Sequence, residues 1–120
     1  MEEIAKALFK YWNSFTIPAY VENNVPEEAR LPYITYTLGK NDYLSSGLMQ
    51  VRVWYKTQSF KPINAKVDEI LAGIDNGVIL HLKTGYINIY KGTPEVQFQP
   101  SDDQSIKIAY INLEVNYITK

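Results

Sequence analysis

Two stretches of strict alternation limit the folds open to this chain. In residues 48–56, Met49, Val51, Val53 and Tyr55 fall on one side, while Gln50, Arg52, Trp54 and Lys56 fall on the other. In residues 106–119, Ala109, Ile111, Leu113, Val115 and Tyr117 alternate with Asn112, Glu114 and Asn116. A period of two belongs to a strand with one buried and one wet face, which is the usual condition of an antiparallel sheet. Residues 32–38 repeat the pattern, with Ile34, Tyr36 and Leu38 opposite Tyr33, Thr35 and Thr37. These are β-branched and aromatic types that fit a pleated, half-buried surface. Pro32 has no N–H to give a ladder, so it marks the first residue of that strand, and Gly39 ends the run. Pro26 and Pro32 hold Val25 and Leu31 in extended backbone.

Two segments break this rhythm with a helical one. Over residues 2–14, Ile4, Leu8, Trp12 and Phe15 step by four and three, and Ala5 and Phe9 widen the stripe. Glu2 and Glu3 lie in the first turn, where the helix dipole favours acids, and Pro18 bars continuation past Ile17. Over residues 60–75 the stripe is Ile63, Val67, Ile70, Leu71 and Ile74. Ser59 is the candidate N-cap, Pro62 sits in the first turn, and Asn76-Gly77 supplies a left-handed stop. Residues 17–22 read as a short strand weakened by Pro18. Residues 78–83 and 86–91 flank Thr84-Gly85, a two-residue hairpin signal. Gly92-Thr93-Pro94 breaks that run, and residues 95–99 read as an edge strand. Polar connections fall at 23–30, 40–47 and 100–104. Strands joined by short turns, with helices segregated from them, predict an α+β fold: a mainly antiparallel β-sheet with two helices packed on one face. A chain of 120 residues predicts one domain over 1–120.

Composition narrows the function by exclusion. The net charge of −1 argues against a protein built to neutralise a phosphate backbone. With no cysteine, the chain can form no disulfide framework, thiolate nucleophile or cysteine-held zinc site. MEEIAKALFKYW opens on acids and lacks the apolar run of a signal peptide, and nothing approaches the roughly 18 apolar residues of a membrane span. The expectation is a cytosolic place of synthesis. Ten tyrosines are the unusual entry. A phenol suits both a sheet and an interface, because its ring is apolar and its tip polar.

No pattern carries catalysis. His81 is the only histidine, on a strand face with Ile79 and Lys83, and no other ligand type is grouped with it for a metal. No serine stands in a nucleophile elbow, and neither phosphate-binding glycine pattern occurs. Glu27 and Glu28 read as a solvated loop, and Asp102-Asp103 as a turn rather than a cation site. Trp54, Tyr33, Tyr86 and Tyr90 offer rings for base stacking, but with few cations around them. The expectation is no enzyme, no catalytic or metal residue and no cofactor. Tyr43 and Leu44 are unusual in a loop meant only for water.

The order VPEEARLPYITYTL, LMQVRVWYKTQSF, VDEILAGI, IYKGTPEVQFQPSDD and IKIAYINLEVNYI resembles the small tail-terminator, or tail-completion, proteins of long-tailed bacteriophages and prophages. Such genes are often labelled minor capsid or neck proteins. The likeness rests on order, spacing and length, and spans most of the chain. It implies a virion protein of the tail or neck, made in the bacterial cytoplasm. That protein would form a homo-oligomeric ring, commonly a hexamer, that ends tube growth. Its implied partners are itself, the tail-tube protein and the head–tail connector, with no nucleic-acid specificity and no membrane. A closed head-to-tail ring needs two different patches per subunit. The candidates for ring and partner contacts are Asp42, Tyr43 and Leu44 in the first long loop, and Phe98, Gln99, Asp102 and Asp103 around the second. The alternative is a small binding module, or an accessory subunit, that uses the Tyr-rich sheet face.

Overall fold

The computed structural model describes residues 2–37, 47–99 and 101–119. Its elements are α1 (Glu2–Trp12), a 3-10 turn (Asn13–Phe15), β1 (Ala19–Val21), β2 (Tyr33–Tyr36), β3 (Gly47–Lys56), α2 (Lys61–Ile74), β4 (Val78–His81), β5 (Gly85–Gln99) and β6 (Ile106–Thr119). The strands form one six-stranded sheet in the order β1-β2-β3-β6-β5-β4. The fold is α+β with a mostly antiparallel sheet. β6 lies between β3 and β5, paired with β3 over residues 106–115 and with β5 over 108–111 and 113–119.

The two alternating stretches face each other. β3 and β6 pair from Gly47↔Val115 to Lys56↔Ile106 without a break. In that register Met49 opposes Leu113, Val51 opposes Ile111 and Val53 opposes Ala109, and all six are buried. They join Ile34 and Tyr36 of β2, Ile87 and Ile89 of β5, Ile4, Leu8 and Trp12 of α1, and Ile63, Val67, Ile70 and Ile74 of α2 in one buried cluster. Trp12 is its largest member, with its ring 6.1 Å from that of Phe15 and 6.3 Å from that of Tyr36.

The structure corrects several expectations. β1 pairs β2 in parallel, from Ala19↔Ile34 to Val21↔Tyr36, so the sheet is not antiparallel throughout. The connection between them carries no helix. It is held by two tight backbone bonds, Asn24 N–H to the Val21 carbonyl at 2.9 Å and Ala29 N–H to the Pro26 carbonyl at 3.0 Å, and by an ion pair between Glu22 and Arg52 of β3. Such a crossover leaves no local sequence signal, because what decides it is the strand it returns to.

Gly92-Thr93-Pro94 does not end a strand either. β5 runs through it, and the irregularity is a bulge: Lys91 opposes Leu113, and the next paired residue, Val96, opposes Ile111. A bulge keeps the pairing on one side while adding residues to the other strand. Gly92 is needed there, since a Cβ would stand 3.0 Å from the Asn112 carbonyl oxygen. Asn112 then laces the bulge. Its Nδ2 donates to the Pro94 carbonyl at 2.9 Å and to Gln97 Oε1 at 3.1 Å, while its Oδ1 accepts from Gln50 Nε2 at 3.2 Å. The face that reads as wet is therefore half-buried at Asn112. Residues 96–99 are not a separate edge strand, yet they do lie at an open edge, because β4 pairs only with Tyr86–Ile89.

Several boundaries also shift. The hairpin turn is centred on Lys83-Thr84, closed by Leu82 N–H to the Gly85 carbonyl at 2.9 Å, one residue earlier than Thr84-Gly85. Glu3 of α1 fixes that turn: its carboxylate accepts from Lys83 N–H at 3.0 Å and Thr84 Oγ1 at 3.2 Å. The bond from the Lys83 N–H holds the Glu3 carboxyl below its ordinary range. The end of α2 takes its positive φ first at Asp75 (49°) and again at Gly77 (137°), with Asp75 N–H on the Leu71 carbonyl. Ser59 stands one place before the N-cap position, Phe60, although its Oγ accepts from Lys61 N–H at 3.0 Å. Asn13 stops α1 by turning its amide to β1, where Oδ1 accepts from Ala19 N–H at 2.9 Å. Phe9 does not widen the buried stripe; it is 53% exposed, off the Ile4–Leu8–Trp12 line.

Two buried polar residues, Thr35 and Lys66, have no counterpart in the apolar pattern. Lys66 sits on the buried side of α2. Its Nζ donates to the Phe15 carbonyl at 2.6 Å, Thr16 Oγ1 at 2.9 Å and Glu69 Oε1 at 2.8 Å. The stem packs with the core while the ammonium caps the exit of the 3-10 turn.

Candidate functional site

The residues that suggest chemistry stay apart. His81 is exposed on the edge strand β4. Glu27 and Glu28 are exposed in the β1–β2 connection. Among the described residues no group of three His, Cys, Asp or Glu side chains comes together, and no helix is long and apolar enough to cross a membrane. Asp103 is occupied in shaping its own turn. Its Oδ1 accepts from Ser105 N–H at 2.9 Å and Ser105 Oγ at 2.7 Å, and its carbonyl accepts from Ile106 N–H at 3.0 Å. The Ser105 hydroxyl bond, then the backbone one, holds this carboxyl below its ordinary range, with Lys56 and Lys107 adding to the effect. Asp102 beside it is exposed.

Of the residues expected at an interface, Asp42, Tyr43 and Leu44 lie outside the described residues. Phe98 and Gln99 end β5 and are exposed. With Phe60, Ser101, Gln104, Ile106 and Lys107 they line a shallow depression of about 370 Å³. Phe98 meets Phe60 edge to face, with centroids 5.7 Å apart, and the Lys107 ammonium lies 5.2 Å from the Phe60 ring centre. Each of the two phenylalanines is nevertheless 48% exposed. Sequence reading places Phe98 here but misses Phe60 and Lys107. Phe60 directly precedes the α2 stripe, and its exposure follows from its place at the helix entrance rather than from its spacing. At the far end of β3, Leu48 is 79% exposed beside Glu114, its partner across the ladder.

The Tyr-rich face is built differently. Tyr20, Tyr33 and Trp54 form a row across β1, β2 and β3, with ring centroids 5.7 and 6.0 Å apart and planes inclined at 79° and 40°. Trp54 Nε1 donates to Thr35 Oγ1 at 2.9 Å. Arg52 lies 4.7 Å over the Tyr110 ring, pairs with Glu22 and donates to Gln50 Oε1 at 3.2 Å. Trp54 and Arg52 thus spend polar groups on neighbouring side chains, while the rings of Tyr20, Tyr33 and Trp54 meet one another. Tyr86 and Tyr90 lie beyond β6 on β5, two strands from Trp54, so the four aromatic residues do not make one stacking platform. No protein-family model and no curated protein sequence matches the chain.

Proposed function

We propose that this chain is a structural virion protein of a phage or prophage, a tail terminator that closes into a ring, caps the tail tube and offers a surface to the head connector. One observation carries the reading: an aromatic pair, Phe60 and Phe98, packed edge to face and left half in water at one end of a well-filled core. A monomer gains nothing from that exposure, whereas a neighbouring subunit would bury it. A second apolar group, at Leu48, stands at the other end of β3, and two unlike patches are what a heterologous closed ring requires. We also infer that both helices cover one face of the sheet. That inference is supported by the buried cluster, in which α1 and α2 meet the same alternate set of strand residues. It leaves the other face and both ends free for assembly.

The first loop supplies the test. Burying Tyr43 and Leu44 against a neighbour stabilises association by ~1.5–3 kcal/mol each. Tyr43→Ser combined with Leu44→Ser is expected to leave the monomer's melting temperature nearly unchanged. Electron microscopy of particles assembled with this variant should show tubes of uncontrolled length, or tails that fail to join heads. Normal tails joined to heads would remove this loop from the contact. Normal assembly without the whole protein would overturn the terminator reading and favour a binding module that uses the Tyr-rich face.

A further inference from the structure

The exposed apolar groups at the two ends of the sheet differ in shape, in charge and in the face they leave from. Leu48 opposes Glu114 across the β3–β6 ladder, on the same face as the Gln50–Asn112 and Arg52–Tyr110 pairs. That face is the one opposite the buried cluster. Leu48 is the most exposed large apolar residue described, and Glu114 is exposed with no ion-pair partner among the described residues. Phe98 opposes Ala109, and Lys107 opposes Tyr55, so both leave from the core-side face. There they border the depression closed by Phe60. Lys107 and Glu114 are seven residues apart on β6, roughly 23 Å along the strand. One end is thus an exposed leucine beside an acid, on the lining of a depression of about 610 Å³. The other is a concave aromatic pair flanked by a cation.

We propose that Leu48 of one subunit packs against the exposed faces of Phe60 and Phe98 of a second copy of this chain, with Glu114 set against Lys107. The proposal rests on the ring reading above and names its contact. Charge selects the occupant. A like end would bring Lys107 against Lys107, or Glu114 against Glu114, and like charges across a contact oppose it. The leucine and the aromatic pair lie on opposite faces and at opposite ends, so each subunit keeps its second patch free after the first is used. The contact therefore propagates head to tail and ends only by closing on itself. Association depends on a charge pair at the rim, so it weakens as salt rises.

The chain contains no cysteine, which makes the contact open to trapping. Gly47→Cys and Gln99→Cys lie beside the contact at exposed positions, so neither removes a contact residue or disturbs the core. With a short bifunctional thiol crosslinker, neither single variant alone should give a covalent dimer. Their equimolar mixture should do so, and the double variant should give a ladder that stops at one closed size. Reversing the charge pair gives an independent reading by sedimentation. Glu114→Lys or Lys107→Glu alone should weaken self-association at least tenfold, and the two together should restore it. Wild-type rings without the mixed crosslink, or without charge rescue, would overturn this contact and leave the ring reading standing. A wild-type chain that stays monomeric at every concentration, with or without tail tubes, would overturn both.

Discussion

Leu113→Asp should leave a chain with no cooperative thermal transition, and Val51→Asp should do the same. Leu113 is fully buried between Met49 on β3 and Lys91 on β5, and Val51 between Tyr36 on β2 and Ile111 on β6. The buried cluster around both positions is apolar apart from the Trp12 indole and the Tyr36 phenol, and it holds no cation to pair a carboxylate. A buried, unpaired carboxylate either stays charged at great cost or protonates, and both routes add to the loss of the apolar side chain. A domain of this size has about 5–15 kcal/mol of stability in total, while truncation of a core leucine alone costs about 2–5 kcal/mol. Ala65→Asp, on the exposed side of α2, is the control and should cost less than about 1 kcal/mol. Melts followed by circular dichroism compare the three. Equal behaviour at positions 65 and 113 would mean that the buried face of β6 is assigned wrongly.

Lys66→Met should cost about 1–3 kcal/mol, and a shift of the urea midpoint reads it directly. Methionine keeps the buried stem and removes the head, so packing is largely conserved. What is lost is the charged donor to the Phe15 carbonyl and to Thr16 Oγ1 at the exit of the 3-10 turn, which leaves that carbonyl with the Thr16 hydroxyl alone as side-chain donor. The Glu69 partner is half-exposed, so Glu69→Gln should be mild by comparison. If Lys66→Met unfolds at the wild-type midpoint, the ammonium is not what holds α2 to the end of α1. If Glu69→Gln costs as much, the ion pair and not the carbonyl cap carries the effect.

The elements that could be read from the sequence are those whose environment is repeated along their length. β3 and β6 have one face toward the core at every second residue, so their alternation survives in the sequence. α1 and α2 are legible through their stripes for the same reason. Where a distant partner decides, the sequence is silent or misleading. Gly92 and Pro94 look like a strand break, but Asn112, eighteen residues beyond Pro94, holds the bulge in the sheet. The parallel β1–β2 pair depends on where the chain returns after a crossover without a helix. Lys66 looks like an interruption of the α2 stripe and is instead a cap for another element, 51 residues away from the carbonyl it binds. Asn112 shows the practical consequence: alternation alone would make Asn112→Asp mild, whereas the structure has its amide donating to two acceptors.

The interface candidates divide in the same way. Phe98 and Gln99 are legible because a phenylalanine beside a polar loop has no local reason to be there. Phe60 is hidden because an aromatic residue before an apolar helix reads as part of its stripe. Asp103 draws attention as an acid, yet one of its carboxylate oxygens already accepts two bonds from Ser105.

The central claim, that this chain is a subunit of a closed ring on a tail tube, is tested most directly by its mass in solution. Sedimentation velocity on the wild-type chain, alone over a wide concentration range and then with a tail-tube protein, gives the answer. The account predicts a soluble monomer when dilute, and one oligomer of a single defined stoichiometry on tube ends and at high concentration. A monomer under every condition, with no association with the tube, would contradict it.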